Sequence, residues 1–410
     1  MSDTEKFARL RQDIQIIPTQ YQKKTVYLIE DPLGLVPTGL ILNQDTINIL
    51  AVLSQCRSFQ EFTYQLTRLQ GGVMVNQENV TSIFQKFDDW RLLHSETFQD
   101  AKRQAIADYL KQPVRLAALA GHGYPAEKEE LNRQLDIVMK NVMIASSPIP
   151  ENRKVRAIIA PHIDLRVGTE TYGIAYQYWP QWVPKRILLM GTGHRLSGAF
   201  FSVTTKDFET PLGVLHTDKD AVEKIRHMGG AALASNDIAH RKEHSLELQI
   251  IFIQKCLQGR KVPIIPILCG SFHSIMEAVQ RPSEYLQIAV VLSALRDLTM
   301  QPDTLIVASV DLSHIGPKFG HRFDSRNLEE KARLHDREIM QSLETGDVKK
   351  LWDTVYKERD KYNVCGFSTL ATLLEITGDV KGSIVDYNLW HEDATNSAVS
   401  FAAGVLWNRS

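Results

Sequence analysis

Four short apolar runs recur in the second half of the chain: VRAIIA at 155–160, RILLM at 186–190, VPIIPIL at 262–268 and TLIVASV at 304–310. Each is bounded by turn-forming residues and is too short for a buried helix, so each reads as a strand buried on both faces. Apolar residues at helical spacing fall between or after them, near Thr169–Trp179, Ser245–Leu257, Ser283–Leu298 and Asn327–Leu343. Strand alternating with helix predicts an α/β domain whose mixed, largely parallel sheet carries helices on both faces. Two late segments, Ser383–Trp390 and Ala398–Trp407, are expected to add strands to it.

A chain of 410 residues is long for one core, so a second domain is expected. Lys23–Glu30 reads as a strand and Asp31-Pro32-Leu33-Gly34 as a turn. Asn43 and Ser58 are placed to cap two helices, Gly71-Gly72 breaks the second, and a third spans roughly Val80–Asp89 before Trp90, Leu92 and Leu93. One strand, three short helices and a closing ribbon suggest a small winged-helix-like α+β domain over 1–112. A helix is expected at Phe98–Lys111. Residues 113–150 then form a linker that holds a loop at Ala118–Ala126, a helix at Glu127–Met139 and the run Ser146–Pro150. The α/β domain occupies 151–410.

Charge narrows the functional classes. Lys plus Arg is 47 and Asp plus Glu is 48, and the two signs nearly cancel within the first 112 residues as well. No basic stripe marks a nucleic-acid surface, so the N-terminal module is read as contacting protein or peptide rather than DNA, or else as a packing lobe with no ligand of its own. No apolar run reaches the roughly 18–20 residues that span a bilayer. Met1–Asp13 is charged throughout with no apolar segment, which makes a cytoplasmic location the default. Cys56, Cys256, Cys269 and Cys365 lie far apart, arguing against a disulfide framework or a structural zinc knot.

In open α/β sheets, ligands bind beyond the carboxyl ends of the strands. Three of the strands run directly into a histidine-bearing loop: Ala160-Pro161-His162, Gly191-Thr192-Gly193-His194 and Asp311-Leu312-Ser313-His314. One such histidine is ordinarily a structural hydrogen-bonder, but three at equivalent strand ends are gathered by the fold itself. Imidazole suits iron, copper, zinc or nickel, and Cys365 in Asn363-Val364-Cys365-Gly366-Phe367 is a candidate anionic ligand. Gly366 allows a tight approach, and a helix starting there would favour a thiolate. Two of these histidines and Cys365 could hold a metal on one face and leave positions open for substrate or oxygen. His314 is a candidate general acid or base, and Asp311 either orients a histidine or carries charge in the pocket. In Glu243-His244-Ser245-Leu246-Glu247, His244 and Glu247 share a helix face that is expected to point into the pocket. Glu209–Leu215 reads as a turn between two strands that could wall the site.

Taken in order, APHIDLRVG, GTGH, ETPLGVLHTD, EHSLELQIIFIQ, PIIPILCGSFH, DLSHIG and NVCGF resemble the Memo family, over about Val155–Trp407. The N-terminal part resembles the extra domain of the AmmeMemoRadiSam system protein B type. That resemblance implies a fold similar to class III extradiol dioxygenases, and a partnership with radical SAM and AMMECR-like proteins. It implies that His162 and His194 match the two histidine ligands, that Cys365 stands where the dioxygenases use glutamate, and that His314 matches their acid/base. His244 falls in a motif lining the cleft. PHIDLRVG and GTGH depart from the better-known aromatic-rich and PSHH-type segments, which alters the pocket wall. Cysteine in place of a carboxylate favours copper or iron in a redox role over ring cleavage of catechols. Two further readings are a non-catalytic module binding a peptide or protein in the histidine-lined cleft, and a dioxygenase proper.

Overall fold

The computed structural model describes residues 7–22, 24–140, 148–301 and 303–409. The chain forms two compact units, Met1–Lys111 and Gln112–Ser410.

In the first unit, β1 (Gln15–Tyr21) and β2 (Lys24–Glu30) form an antiparallel hairpin, and β3 (Ile41–Leu42) pairs with β2. Helices α1 (Gln44–Gln55), α2 (Phe59–Leu69), α3 (Gln77–Asp89) and α4 (Glu96–Lys111) follow. Asn43, Ser58 and Asn76 cap the first three, each side chain accepting a hydrogen bond from a backbone N–H of the first turn. The hairpin precedes the helices, whereas the sequence suggested a single strand there and a ribbon after them. The pairing partner is Gln15–Tyr21, whose mixed polar and apolar residues give a weak strand signal. Lys23, the first residue of the expected strand, lies outside the described residues.

The second unit opens with β4 (Val114–Arg115) and α5 (Lys128–Lys140). These are integral to it: Arg115 is completely buried, and Leu131 and Leu135 pack into its core. The stretch expected as a linker is thus largely structural, although Ser146 and Ser147 lie outside the described residues. Next come β5 (Val155–Ala160), α6 (Leu165–Gln177), β6 (Arg186–Thr192), β7 (Phe201–Val203), β8 (Asp207–Thr210), β9 (Gly213–Leu215), α7 (Lys219–Gly229) and α8 (His244–Leu257). They are followed by β10 (Ile264–Cys269), α9 (Leu286–Thr299), β11 (Thr304–Ser309), β12 (Asp311–Ile315), α10 (Glu329–Thr345), α11 (Val348–Lys357), α12 (Phe367–Thr377), β13 (Val380–Glu392) and β14 (Ser397–Asn408).

The main sheet runs β12-β14-β5-β11-β6-β10-β7, and β13 also pairs with β14. Its four central strands, β5, β11, β6 and β10, are parallel, and β7, β12, β13 and β14 run antiparallel to their neighbours. Successive residues of a strand face opposite sides, so both core layers draw on the same apolar runs. Ile159, Leu188 and Met190 join the layer with Ile225, Leu295 and Leu370. Ile158, Ile187, Leu189 and Val307 join the layer with Tyr176, Ile250 and Phe252.

After β11 the chain kinks at Val310, whose N–H donates to Ala160 O (2.9 Å), and continues as β12, paired with β14. The histidine loop expected after β11 is therefore itself a strand. Its first residue, Asp311, lies over the turn that follows β5.

Candidate metal centre

Three strand ends and two helix starts converge on one site. His162 leaves β5 after Pro161 and is 2 % exposed. Its backbone N–H donates to Asp311 Oδ1 (2.9 Å), as does that of Ile163 (3.3 Å). His194 follows β6, and its backbone N–H donates to Glu243 Oε2 (2.9 Å). His244 begins α8, with Glu243 as the cap that accepts from Ser245 N (3.0 Å). Cys365 precedes α12, and its N–H donates to Leu312 O (3.1 Å).

Two of these segments depend on glycine. A Cβ on Gly191 would lie 2.5 Å from Ser245 Oγ, so only glycine lets α8 approach the end of β6. A Cβ on Gly366 would lie 2.6 Å from Val310 Cβ, so only glycine lets the Cys365 turn settle against the kink after β11. Gln249 on α8 ties two strand ends together, donating to Pro161 O (2.7 Å) and Ser309 Oγ (2.8 Å).

Donor atoms of His162, His194 and His244 lie within 4.8 Å of one another. His162 Nε2 is 3.1 Å and His194 Nε2 is 3.2 Å from Cys365 Sγ. Two ligand bonds of about 2.0 and 2.3 Å meeting at a tetrahedral angle would separate nitrogen and sulfur by roughly 3.5 Å, so these side chains are spaced as donors to one ion. His194 Nδ1 is 2.9 Å from Glu243 Oε1, the carboxylate–histidine arrangement that leaves Nε2 as the bare donor. His162 Nδ1 is buried with no hydrogen-bond partner among the described residues. The three histidines thus lie close enough together to hold one metal ion.

Protonation follows the surroundings. Burial, with His194 and His244 nearby, holds His162 well below the usual imidazole value. Burial and the neighbouring His194 bring His244 down to about 4. Burial opposes charge on His194 too, but the Glu243 carboxylate and Cys365 outweigh it and raise that imidazole well above its usual value. A bound cation would take the place of that proton.

His314 lies on β12. Its Nδ1–H donates to Leu312 O (3.0 Å), and its ring meets Phe319 edge-on at 4.8 Å. Burial, with His194 adding, brings it to about 4, leaving Nε2 as a neutral acceptor. Burial pushes Asp311 up to about 7 against the two N–H groups it accepts, and its Oδ2 is 3.7 Å from His162 Nε2. Asp311 is thus the orienter of the His162 turn.

Glu247 does not face this site. It is fully buried, paired with Arg115, and accepts from Ala118 N (2.9 Å), Leu119 N (2.8 Å) and Tyr124 OH (2.5 Å). Sharing a helix face with His244 in sequence spacing did not decide its direction, because the Arg115 segment supplies a better partner. The Glu209–Leu215 hairpin does not wall the site either: Thr210 Oγ1 donates to Gln254 Oε1 (2.6 Å), ten residues along α8 from His244, or about 15 Å.

Two residues here carried no signal of their own in the sequence. Glu243 read only as part of a helix start, yet it serves both the cap and His194. Asp360 accepts from Val364 N (2.8 Å) through Oδ1 and meets His273 Nε2 (2.5 Å) through Oδ2, anchoring the turn before Cys365. Arg359, Asp360 and Asn363 in that turn all have positive φ, near 50°, 46° and 48°. Asn363 Nδ2 donates to His314 O (3.1 Å), so the same turn also supports β12.

The Memo-like protein family model matches residues 115–405. A MEMO1 family protein of Aquifex aeolicus is 27% identical over 385 residues, covering 93% of this chain and 96% of that protein. A MEMO1 family protein of Thermus thermophilus is 29% identical over 340 residues, covering 82% and 95%. A second Aquifex aeolicus MEMO1 family protein is 30% identical over 281 residues, covering 67% and 91%. The matched span holds every strand and helix that carries the histidine cluster, and the chain belongs to the Memo family.

Proposed function

We propose that this protein is a metal-dependent redox enzyme, or a component of one, with a single iron or copper ion held by His162, His194 and Cys365. The observation that carries this reading is the convergence of His162 Nε2 and His194 Nε2 on Cys365 Sγ, at 3.1 and 3.2 Å. Two imidazoles and a thiolate are soft enough donors for iron or copper and leave coordination positions for a substrate. The bound ion would supply electron transfer to and from that substrate.

The chain's own groups do the rest. Glu243 fixes the ring of His194, and Asp311 fixes the backbone turn that carries His162. His314, neutral and held by its Nδ1–H on Leu312 O, accepts or returns a proton at the substrate through Nε2. His244 stacks on His194 with ring centroids 4.6 Å apart and forms the adjoining wall.

The test is metal content of anaerobically prepared protein supplied with Fe(II) or Cu(I), beside His162→Ala, Cys365→Ala and His244→Ala. About one ion per chain, lost in the first two variants and kept in the third, supports the assignment. Loss with His244→Ala and retention with Cys365→Ala would replace the cysteine by the third histidine. Wild type that cannot be loaded would sink the reading.

A further inference from the structure

The ETPLGVLHTD stretch plays no part in the metal centre, yet it builds a second feature. Strand β9 is the outer strand of the small sheet β4-β8-β9. Just beyond it the chain meets the start of β10: Ile264 N donates to His216 O (2.9 Å) and Asp218 N to Ile264 O (2.8 Å). Going back from this junction the two segments part. Among the described residues, no backbone hydrogen bond joins 213–215 to 258–263.

The opening between them is a groove of about 630 Å³. Buried Leu257 and Val262 lie at its base, and Leu212 and the exposed Val214 on its wall. Lys128, Lys255, Arg260 and Lys261 line it, against one carboxylate, Asp136, which is 3.0 Å from Lys255. Lys128, Arg260 and Lys261 form no ion pair among the described residues. An outer strand offers backbone donors and acceptors to another chain, and side chains of an added strand alternate between two faces.

We propose that this groove takes an extended, acidic peptide segment of a partner protein, added as a strand beside β9. Alternate apolar side chains would rest on Val214 and Leu257, and acidic ones would meet the lysines and Arg260. The groove sits at the amino end of β10, whereas His194 follows the carboxyl end of neighbouring, parallel β6. Six residues of strand, about 20 Å, separate the two ends, so the peptide and the metal site are independent.

The experiment is fluorescence anisotropy of the full chain with a labelled peptide of alternating glutamate and valine, about seven residues long, the length of an ordinary strand. Saturable binding that weakens with salt is expected. Arg260→Glu combined with Lys261→Glu should weaken it at least about tenfold, with an unchanged circular dichroism spectrum. The same peptide N-methylated at alternate residues should also lose about tenfold, because it keeps its charge but loses main-chain donors. Equal binding of the N-methylated peptide would reduce the contact to charge attraction and overturn the proposal. So would unchanged binding by the double variant, or displacement of the peptide by polyuridylate at lower concentration than by unlabelled peptide.

Discussion

Glu243 Oε1 stands 2.9 Å from His194 Nδ1 while Oε2 accepts the backbone N–H of the same residue at 2.9 Å, so one buried carboxylate fixes both the ring and the main chain of His194. Burial works against its charge, but His194 and His244 outweigh that and hold Glu243 well below the usual carboxylate range. Glu243→Gln removes the charge and turns an amide NH2 toward one of the two backbone N–H groups, of His194 or Ser245, that the carboxylate accepts. Metal affinity, measured by chelator competition, should fall about 10–100-fold, and stability by about 1–3 kcal/mol. An unchanged affinity would remove Glu243 from the metal's surroundings.

Arg115 and Glu247 are both completely buried. Arg115→Ala leaves the Glu247 carboxylate without its cation, and should cost about 3–5 kcal/mol in urea unfolding of the second unit. A loss below about 1 kcal/mol, the range of surface pairs, would contradict the buried geometry.

Gly191→Ala places a methyl group against Ser245 Oγ and Leu246 Cδ2. The expected cost is about 1–3 kcal/mol, since α8 must move away from β6. Because Glu243 caps α8, the same variant should also hold metal more weakly. Wild-type stability together with wild-type affinity would show that the helix has room to spare.

In the first unit, Asp31 accepts from Arg11 Nη2 (2.6 Å) and from the N–H groups of Leu35 and Val36. Burial opposes its charge, but Arg11 and those N–H groups prevail, and the pKa is lowered from 3.8. The stability this gives is fully present above the unfolded value and is lost as pH falls through the lower folded value. Chemical denaturation between about pH 6 and pH 2, either side of the reference carboxylate value, should show that loss in wild type. Asp31→Asn should be less stable at neutral pH and lose less on acidification. Parallel pH curves for the two proteins would rule the linkage out.

The apolar runs at 155–160, 186–190 and 304–310 were legible as strands because strands buried on both faces need unbroken hydrophobicity, and β5, β6 and β11 lie at the centre of the sheet. Asn43 and Ser58 were legible as caps because capping is a local interaction. The hairpin partner β1 was not, since its residues are at most half-buried and alternate weakly.

The sequence by itself determined the parallel core and the placing of His162 and His194 at its strand ends, because periodicity and strand termination are written in neighbouring residues. Only the tertiary structure decided which groups meet there. Cys365 reaches His162 across 203 positions of chain, and Glu247 turns from the site to Arg115 across 132. Those directions are set by competition among buried charges and hydrogen-bonding groups for partners, and that competition exists only once the helices have closed on the sheet.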